Sequence, residues 1–171
     1  MKVEWTTFRS PVGPLVLVEC PDGPLVVEFP VRAARLNWAD RLRVRRVLIE
    51  PGACRTTATW LRAYFAGSRE PFPFPEHLTR WMDPDGSALR VWRHLARIPY
   101  GETRAYEDIA LATGQHPRQV GRLIGANHLA ILIPCHRVVG KDGGLVGYGG
   151  GVAKKRWLLD HELRSAGVVL K

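Results

Sequence analysis

No stretch of the chain approaches the roughly 18 consecutive apolar residues that a membrane-spanning helix requires. The opening residues, Met1-Lys2-Val3-Glu4-Trp5, place an acid early with no apolar run behind it. The sequence thus predicts neither a membrane partner nor a secretory signal, and a cytoplasmic protein is expected. Cysteine is scarce. Cys20, Cys54 and Cys135 lie far apart, odd in number and without a C-x-x-C spacing, which argues against a disulfide framework. The spacing of Cys20, Cys54 and His77 gives a metal site little support, so neither metal nor other cofactor is expected. Acids are also short, 16 against 25 basic residues, for a net charge of +9. The glycine-rich segment lacks the G-x-x-x-x-G-K-[ST] spacing of a phosphate loop, and there is no internal repeat.

What is present is an ordinary globular composition, 46% apolar and 24% charged over 171 residues, enough for one or two small domains with a core. Short β-rich runs at Val3–Phe8, Leu15–Cys20 and Leu25–Phe29 are separated by Pro-Val-Gly-Pro and Pro-Asp-Gly-Pro, the latter a hairpin signal. Residues 31–50 are arginine-rich, with a candidate strand at Arg46–Ile49. Helical spacing of Ala58, Leu61, Tyr64 and Phe65 predicts a helix over Cys54–Phe65. The first half offers no chemical constellation. Gly67–Pro75, with three prolines, reads as a linker between an N-terminal domain over 1–75 and a C-terminal domain over 76–171.

The second half is helical and basic. Ser87 is the expected N-cap of a helix over Ala88–Arg97. Tyr106–Thr113, closed by Gly114, and a helix opened by Pro117 and running to about Ala126 form a helix-turn-helix pattern, with Arg118, Gln119 and Arg122 at the start of its second helix. Residues 109–156 hold seven basic side chains (Arg118, Arg122, Arg137, Lys141, Lys154, Lys155, Arg156) against one acid, Asp142. Such an excess suits a polyanion, nucleic acid above all, although charge alone does not separate that from a solvated basic face. Seven glycines fall within residues 140–151. A last helix over Ala153–Arg164 turns Trp157, Leu158 and Leu159 to the core, and Gly167–Leu170 suggests a final strand.

Between these elements lies Ile131-Leu132-Ile133-Pro134-Cys135-His136-Arg137-Val138-Val139. The run Ile131–Ile133 reads as a buried strand, broken by Pro134, that delivers Cys135 to a pocket floor. A cysteine reacts as its thiolate and needs a base or a positive environment. His136 is adjacent, and neighbours in an extended chain point to opposite faces. A sharp turn or a water relay would have to join them, and a carboxylate such as Glu162 would fix the imidazole tautomer. A structural cysteine beside a surface histidine remains open on these residues alone.

Pro134-Cys135-His136-Arg137-Val138 resembles the active-site signature of the O6-alkylguanine-DNA alkyltransferases. Ile98-Pro99-Tyr100-Gly101-Glu102, Tyr106, Arg118-Gln119-Val120-Gly121, Asn127, Gly147-Tyr148-Gly149-Gly150 and the run from Lys155 to Glu162 follow in family order. The resemblance implies an α+β protein of two domains, a β-rich ribonuclease H-like one and a mainly helical one with a winged-helix-like helix-turn-helix. It implies a monomer that repairs double-stranded DNA containing alkylated bases by irreversible transfer of the alkyl group from guanine O6, and in some relatives thymine O4, to Cys135. His136 resembles the water-mediated base, Glu162 its orienting partner, and Asn127 the brace of the active-site turn. Arg118 resembles the intercalating arginine and Tyr106 the residue that drives nucleotide rotation. Ser87, Glu107, Gln119 and Lys141 fall at DNA-contacting positions, and Val138, Tyr148 and Gly149 in the base pocket.

Four positions depart from the family pattern. Gly149 replaces a frequent serine, Ala105 a capping Ser or Thr, the turn from Gly114 to Arg118 is short, and Val146 stands for a common glycine and is expected to narrow the pocket against benzyl groups. The competing readings are a non-catalytic lesion-binding relative, which would lack the cysteine; a thiol hydrolase, which would leave the basic helix pair unexplained; and a DNA-binding regulator, which would leave the Cys-His stretch unexplained.

Overall fold

Two tight turns shape the N-terminal sheet. Gly13 and Gly23 sit at φ +101° and +135°, angles that only glycine adopts at low cost. They join β1 (Lys2–Ser10), β2 (Gly13–Cys20) and β3 (Gly23–Glu28) in antiparallel hairpins. The three expected strands therefore form. A computed structural model describes residues 2–35, 48–80 and 86–167. In it, β4 (Leu48–Pro51) lies parallel to β1, completing a mixed sheet of order β3-β2-β1-β4. The first two residues of the strand expected at Arg46–Ile49 lie outside the described residues. After β3, a short helix α1 (Pro30–Arg35) follows. Helix α2 (Arg55–Phe65) buries Thr57, Ala58, Leu61 and Tyr64, one stripe at helical spacing.

Residues 67–75 carry no regular structure and lead into a 3₁₀ turn, Glu76–Arg80. Helix α3 (Ser87–Ala96) buries Leu89, Val91, Trp92 and Leu95. Its cap position falls on Gly86 at φ +71°, so Ser87 is the first helical residue and not the expected N-cap. Helix α4 (Tyr106–Thr113) ends at Gly114 with φ +66°, and α5 (Pro117–Gly125) begins with proline in its first turn, where the missing N–H costs nothing. Ala105 offers α4 no side-chain cap. Asp108 compensates by accepting from the Ala105 N–H at 2.9 Å. Two-residue strands β5 (Arg104–Ala105) and β6 (Val138–Val139) pair in parallel, and α6 (Val152–Ser165) closes the described fold.

The protein is an α+β fold of two domains whose apolar cores join, from Val3 on β1 to Leu158 on α6. Backbone hydrogen bonds cross between them: Val27 N–H donates to His128 O and Ala130 N–H to Val27 O, both at 2.8 Å.

Three expectations are corrected. Ile131–Ile133 is not a strand but a turn, bracketed by isolated bridges at Leu129 and Ala130↔Ile133. Ile131 itself takes φ +73°. A β-branched residue in the left-handed region stores about 1–3 kcal/mol of strain, sustained only where packing over-determines it. The buried stripe of α6 is Lys155, Leu158 and Glu162, so its inward face carries two charges, with Trp157 and Leu159 only partly covered. The N-terminal half does supply chemistry, as shown below. The strand expected at Gly167–Leu170 lies beyond the described residues save its first.

Candidate active site

The turn at Ile131 is held by one side chain. Asn127, just past α5, donates from Nδ2 to Ile133 O at 2.9 Å and accepts from Leu129 N–H at 3.0 Å through Oδ1. Both ends of the loop are thereby pinned, and the chain emerges through Pro134 into a 3₁₀ turn, Cys135–Arg137. His136 is fully buried, and Cys135 reaches a cavity of about 300 Å³.

The cavity is walled by Tyr106 of α4, by Gly121, Ile124 and Gly125 of α5, by Asn127 and Ala130, and by Gly147, Tyr148 and Gly149 of the glycine-rich loop. Glu28 and Arg32 from the N-terminal domain complete it. Arg32 Nε donates to Glu28 at 2.6 Å, and its Nη2 donates to the Asn127 carbonyl at 3.1 Å and to the Gly125 carbonyl. One guanidinium thus stitches the cavity rim to the end of α5. The glycines beside it have no room for a side chain: a Cβ on Gly149 would meet Arg32 Cδ at 2.7 Å, and one on Gly150 would collide with the Phe29 ring. A larger, more open cleft of about 1190 Å³ lies between Trp60, Phe72 and Phe74 and reaches His77 and Thr79, with no cysteine among its lining residues.

His136 Nε2 lies 2.7 Å from Glu162 Oε1. Arg137 grips the same carboxylate, Nε at 2.9 Å from Oε2 and Nη2 at 2.9 Å from Oε1, and donates from Nη1 to Ile98 O at 2.6 Å. Burial by itself would raise the Glu162 carboxyl, but His136 and Arg137 outweigh it and hold Glu162 well below the usual carboxylate range. Burial lowers His136, Glu162 pulls it back up, and the Arg137 and Lys155 charges help burial prevail, so His136 stays below its ordinary value. The imidazole is therefore neutral, with its proton on Nε2 facing the carboxylate and its Nδ1 lone pair without a partner among the described residues. Burial pushes the Cys135 thiol up to about 11, with Asn127, Arg32 and Lys155 pulling it down and Glu28 pushing it further up. The resting site is a thiol beside a neutral base. Lys155, fully buried, donates to Val138 O at 2.5 Å and Val146 O at 2.8 Å, tying the glycine-rich loop to β6.

The expected site residues fall as follows. Cys135 and Asn127 line the cavity with Tyr106, Tyr148 and Gly149, and His136 pairs with Glu162 outside that lining. Val138 is buried outside the cavity lining, where its carbonyl serves Lys155. Arg118 and Gln119 are exposed on the first turn of α5, Glu107 on the first turn of α4, Lys141 in the glycine-rich loop, and Ser87 is half-buried at the start of α3. Val146 projects outward, 46% exposed, and does not line the cavity, so it does not narrow it as expected. Among the described residues no three His, Cys, Asp or Glu side chains could hold a metal ion, and no helix is long and apolar enough to cross a membrane.

Sequence reasoning missed Glu28, Arg32, Tyr64, Arg137 and Lys155. The last two stand inside recognised motifs, and the i, i+3, i+7 stripe of Lys155, Leu158 and Glu162 was available as a signal. Nothing in the sequence pointed from Glu28 and Arg32 across roughly a hundred residues to Cys135, or from Tyr64 across 98 to Glu162.

Residues 87–164 match the family described as 6-O-methylguanine DNA methyltransferase, DNA binding domain. The methylated-DNA--protein-cysteine methyltransferase of Mycobacterium tuberculosis is 37% identical over 167 residues, covering 94% of this chain and 92% of that protein. The constitutive enzyme of the same name from Bacillus subtilis is 34% identical over 163 residues, covering 92% and 94%. In structure, the chain matches Mycobacterium tuberculosis OGT, solved in complex with DNA, at a TM-score of 0.73 and 34% identity over 96% of this chain and 94% of that one. With the cysteine, its histidine-glutamate support and the helix pair arranged in one site, the chain belongs to the methylated-DNA–protein-cysteine methyltransferase family.

Proposed function

We propose that this protein repairs DNA by taking the alkyl group of O6-alkylguanine onto Cys135, once per molecule. The observation that carries the reading is the position of Cys135: it opens into a base-sized cavity walled by α5 on one side and the glycine-rich loop on the other. A thiol in an apolar core would have no such opening, and a lesion-binding relative would have no thiol.

The chemistry balances within the site. The Cys135 proton passes through a water to His136 Nδ1, which is a lone-pair acceptor while Glu162 holds the Nε2 proton. The thiolate attacks the alkyl carbon, the carbon–O6 bond breaks, and guanine leaves as an anion that takes up a proton. The net change is S–H plus O6-alkylguanine to S-alkyl plus guanine. A thioether is a poor leaving group, so the protein is consumed.

The O6 carbon sits inside the duplex, so the nucleotide must rotate out of the stack to reach Cys135. Arg118, exposed on the first turn of α5, is the side chain that fills the gap, with α5 in the minor groove. Tyr106, at the cavity mouth on α4, crowds the target phosphate. Gln119, Ser87, Glu107 and Lys141 lie where backbone contacts form, and the backbone of Gly147 to Gly149 reads the guanine edge. The protein works as a monomer in the cytoplasm, with a domain boundary near residue 75.

Incubation with a duplex bearing one O6-methylguanine tests this by intact mass. The expected result is a gain of one methyl group, abolished by Cys135→Ala; binding without mass gain would refute the transferase reading in favour of a lesion binder. Arg118→Ala should slow reaction in duplex far more than reaction with the free base, and equal losses would refute the flipping role.

A further inference from the structure

Glu162 takes more hydrogen bonds than a partner for His136 requires. Besides His136 and Arg137, its Oε2 accepts the Gly101 N–H at 3.0 Å, and its Oε1 accepts the Tyr64 hydroxyl at 2.8 Å. Tyr64 comes from α2, in the other domain and 98 residues away in sequence. Its ring is fully enclosed. Trp60 stacks on it at 5.4 Å between centroids, Phe65 and Tyr100 meet it edge-on at 5.2 and 5.9 Å, and His161 lies at 5.4 Å while its Nε2 contacts the Tyr64 carbonyl. The hydroxyl is therefore aimed at a single atom, the oxygen that also holds His136.

We propose that Tyr64 is a positioning residue of the alkyl-transfer site, through which the N-terminal domain holds Glu162 Oε1 against His136 and tempers its pull on the Nε2 proton. The proposal rests on the alkyl-acceptor reading of Cys135. A donor to an ionised carboxylate spreads its charge, leaving less for any other donor on the same oxygen. Without that sharing, Glu162 would draw harder on the imidazole and favour imidazolium. Imidazolium has no lone pair on Nδ1 and cannot accept the thiol proton.

The charged and titratable groups around the pair act in the same sense. Arg137 on the 3₁₀ turn and Lys155 on α6 both oppose a further positive charge on His136, and Tyr100 faces Glu162 from the loop after α3. Burial, and then Glu162 itself, hold the Tyr64 phenol well above its ordinary value, so it remains a donor throughout the working pH range. The N-terminal domain thus acts on the site from behind, through Tyr64 and Glu162.

Tyr64→Phe keeps the ring packing and deletes only the donor. Two readouts follow: the NMR titration of His136, and the pH–rate profile of Cys135 carboxamidomethylation by iodoacetamide, mapped by peptide mass. In the variant, His136 should titrate at higher pH than in the wild type. The acid limb of the Cys135 profile should move up with it, slowing the reaction by about three- to tenfold at pH values below both His136 titrations. A folded variant with both curves unchanged would overturn the proposal. Should Tyr64→Phe fail to fold, 3-fluorotyrosine at position 64, a stronger donor of nearly the same shape, should move both curves to lower pH, and no movement would equally overturn it. Methyl transfer from an O6-methylguanine duplex is run on the wild type alongside. Its absence would sink the acceptor reading while leaving the His136 result standing, so the two failures are distinguishable.

Discussion

Raising the pH from 7 to 10 should speed carboxamidomethylation of free Cys135 about a thousandfold. The thiol is pushed up to about 11 chiefly by burial, with 9% of the residue exposed, against an ordinary value of 9.0. At pH 7 that leaves roughly one thiolate in ten thousand, and at pH 10 about one in ten. An ordinary exposed thiol would gain only about ninetyfold over the same interval and would level off above pH 9. The profile, measured with iodoacetamide and mapped to each cysteine by mass, should therefore still climb above pH 10 for Cys135. Cys54, pushed up to about 12 by burial and by Glu19 and Glu4, should lag behind it. Stability carries the same signature. Because the folded-state value lies above the unfolded one, the contribution is complete below about pH 9 and is lost as the pH rises toward 11, amounting to about 1.4 kcal/mol at pH 10. Urea unfolding of wild type against Cys135→Ser at pH 7.5 and 10 isolates that difference from the other groups titrating nearby. A Cys135 profile that flattens near pH 9, with no stability difference between the two proteins, would refute the picture of a protonated resting thiol.

Glu162→Gln removes the negative charge facing buried Arg137 and should destabilise the fold by about 3–5 kcal/mol in urea unfolding, besides abolishing the fixed His136 tautomer. Asn127→Ala strands the buried Leu129 N–H at about 1–3 kcal/mol, while the Ile133 carbonyl keeps the Cys135 N–H, and methyl transfer followed by mass should slow because the Ile131 turn loses its brace. Gly149→Ser puts a side chain where Arg32 Cδ lies 2.7 Å away; the arginine must leave Glu28, and a crystal structure of the variant should show that pair broken. Val146→Gly should leave the ratio of benzyl to methyl transfer unchanged, since Val146 does not line the cavity.

Several of these expectations depend on residues whose importance the primary structure conceals. Helices α4 and α5 were legible because their termini are written in local chemistry: Gly114 supplies a positive φ, and Pro117 suits the first turn. The hairpin at Asp22-Gly23 was legible for the same reason. The apolar run Ile131–Ile133 was misread because β-branched residues favour extended backbone, while here Asn127 and the surrounding core impose a turn and a positive φ at Ile131. On α6, Leu158 and Trp157 do meet the core as their hydrophobicity predicts; Lys155 and Glu162 join them in the interior because carbonyls, Arg137 and His136 satisfy them there.

By itself the sequence determined the family: Pro134-Cys135-His136-Arg137-Val138 and its companion motifs are contiguous or nearly so, and they stand in the sequence whatever the fold. It determined the helix pair and the basic side chains on it, through caps, proline and charge. Only the tertiary structure decided what surrounds the sulfur. Glu28 and Arg32 close the cavity, and Tyr64 reaches Glu162, because the N-terminal sheet and α2 pack against the active-site turn. Contacts of that kind join residues about a hundred positions apart. They arise from the burial of a shared core, which no local pattern encodes.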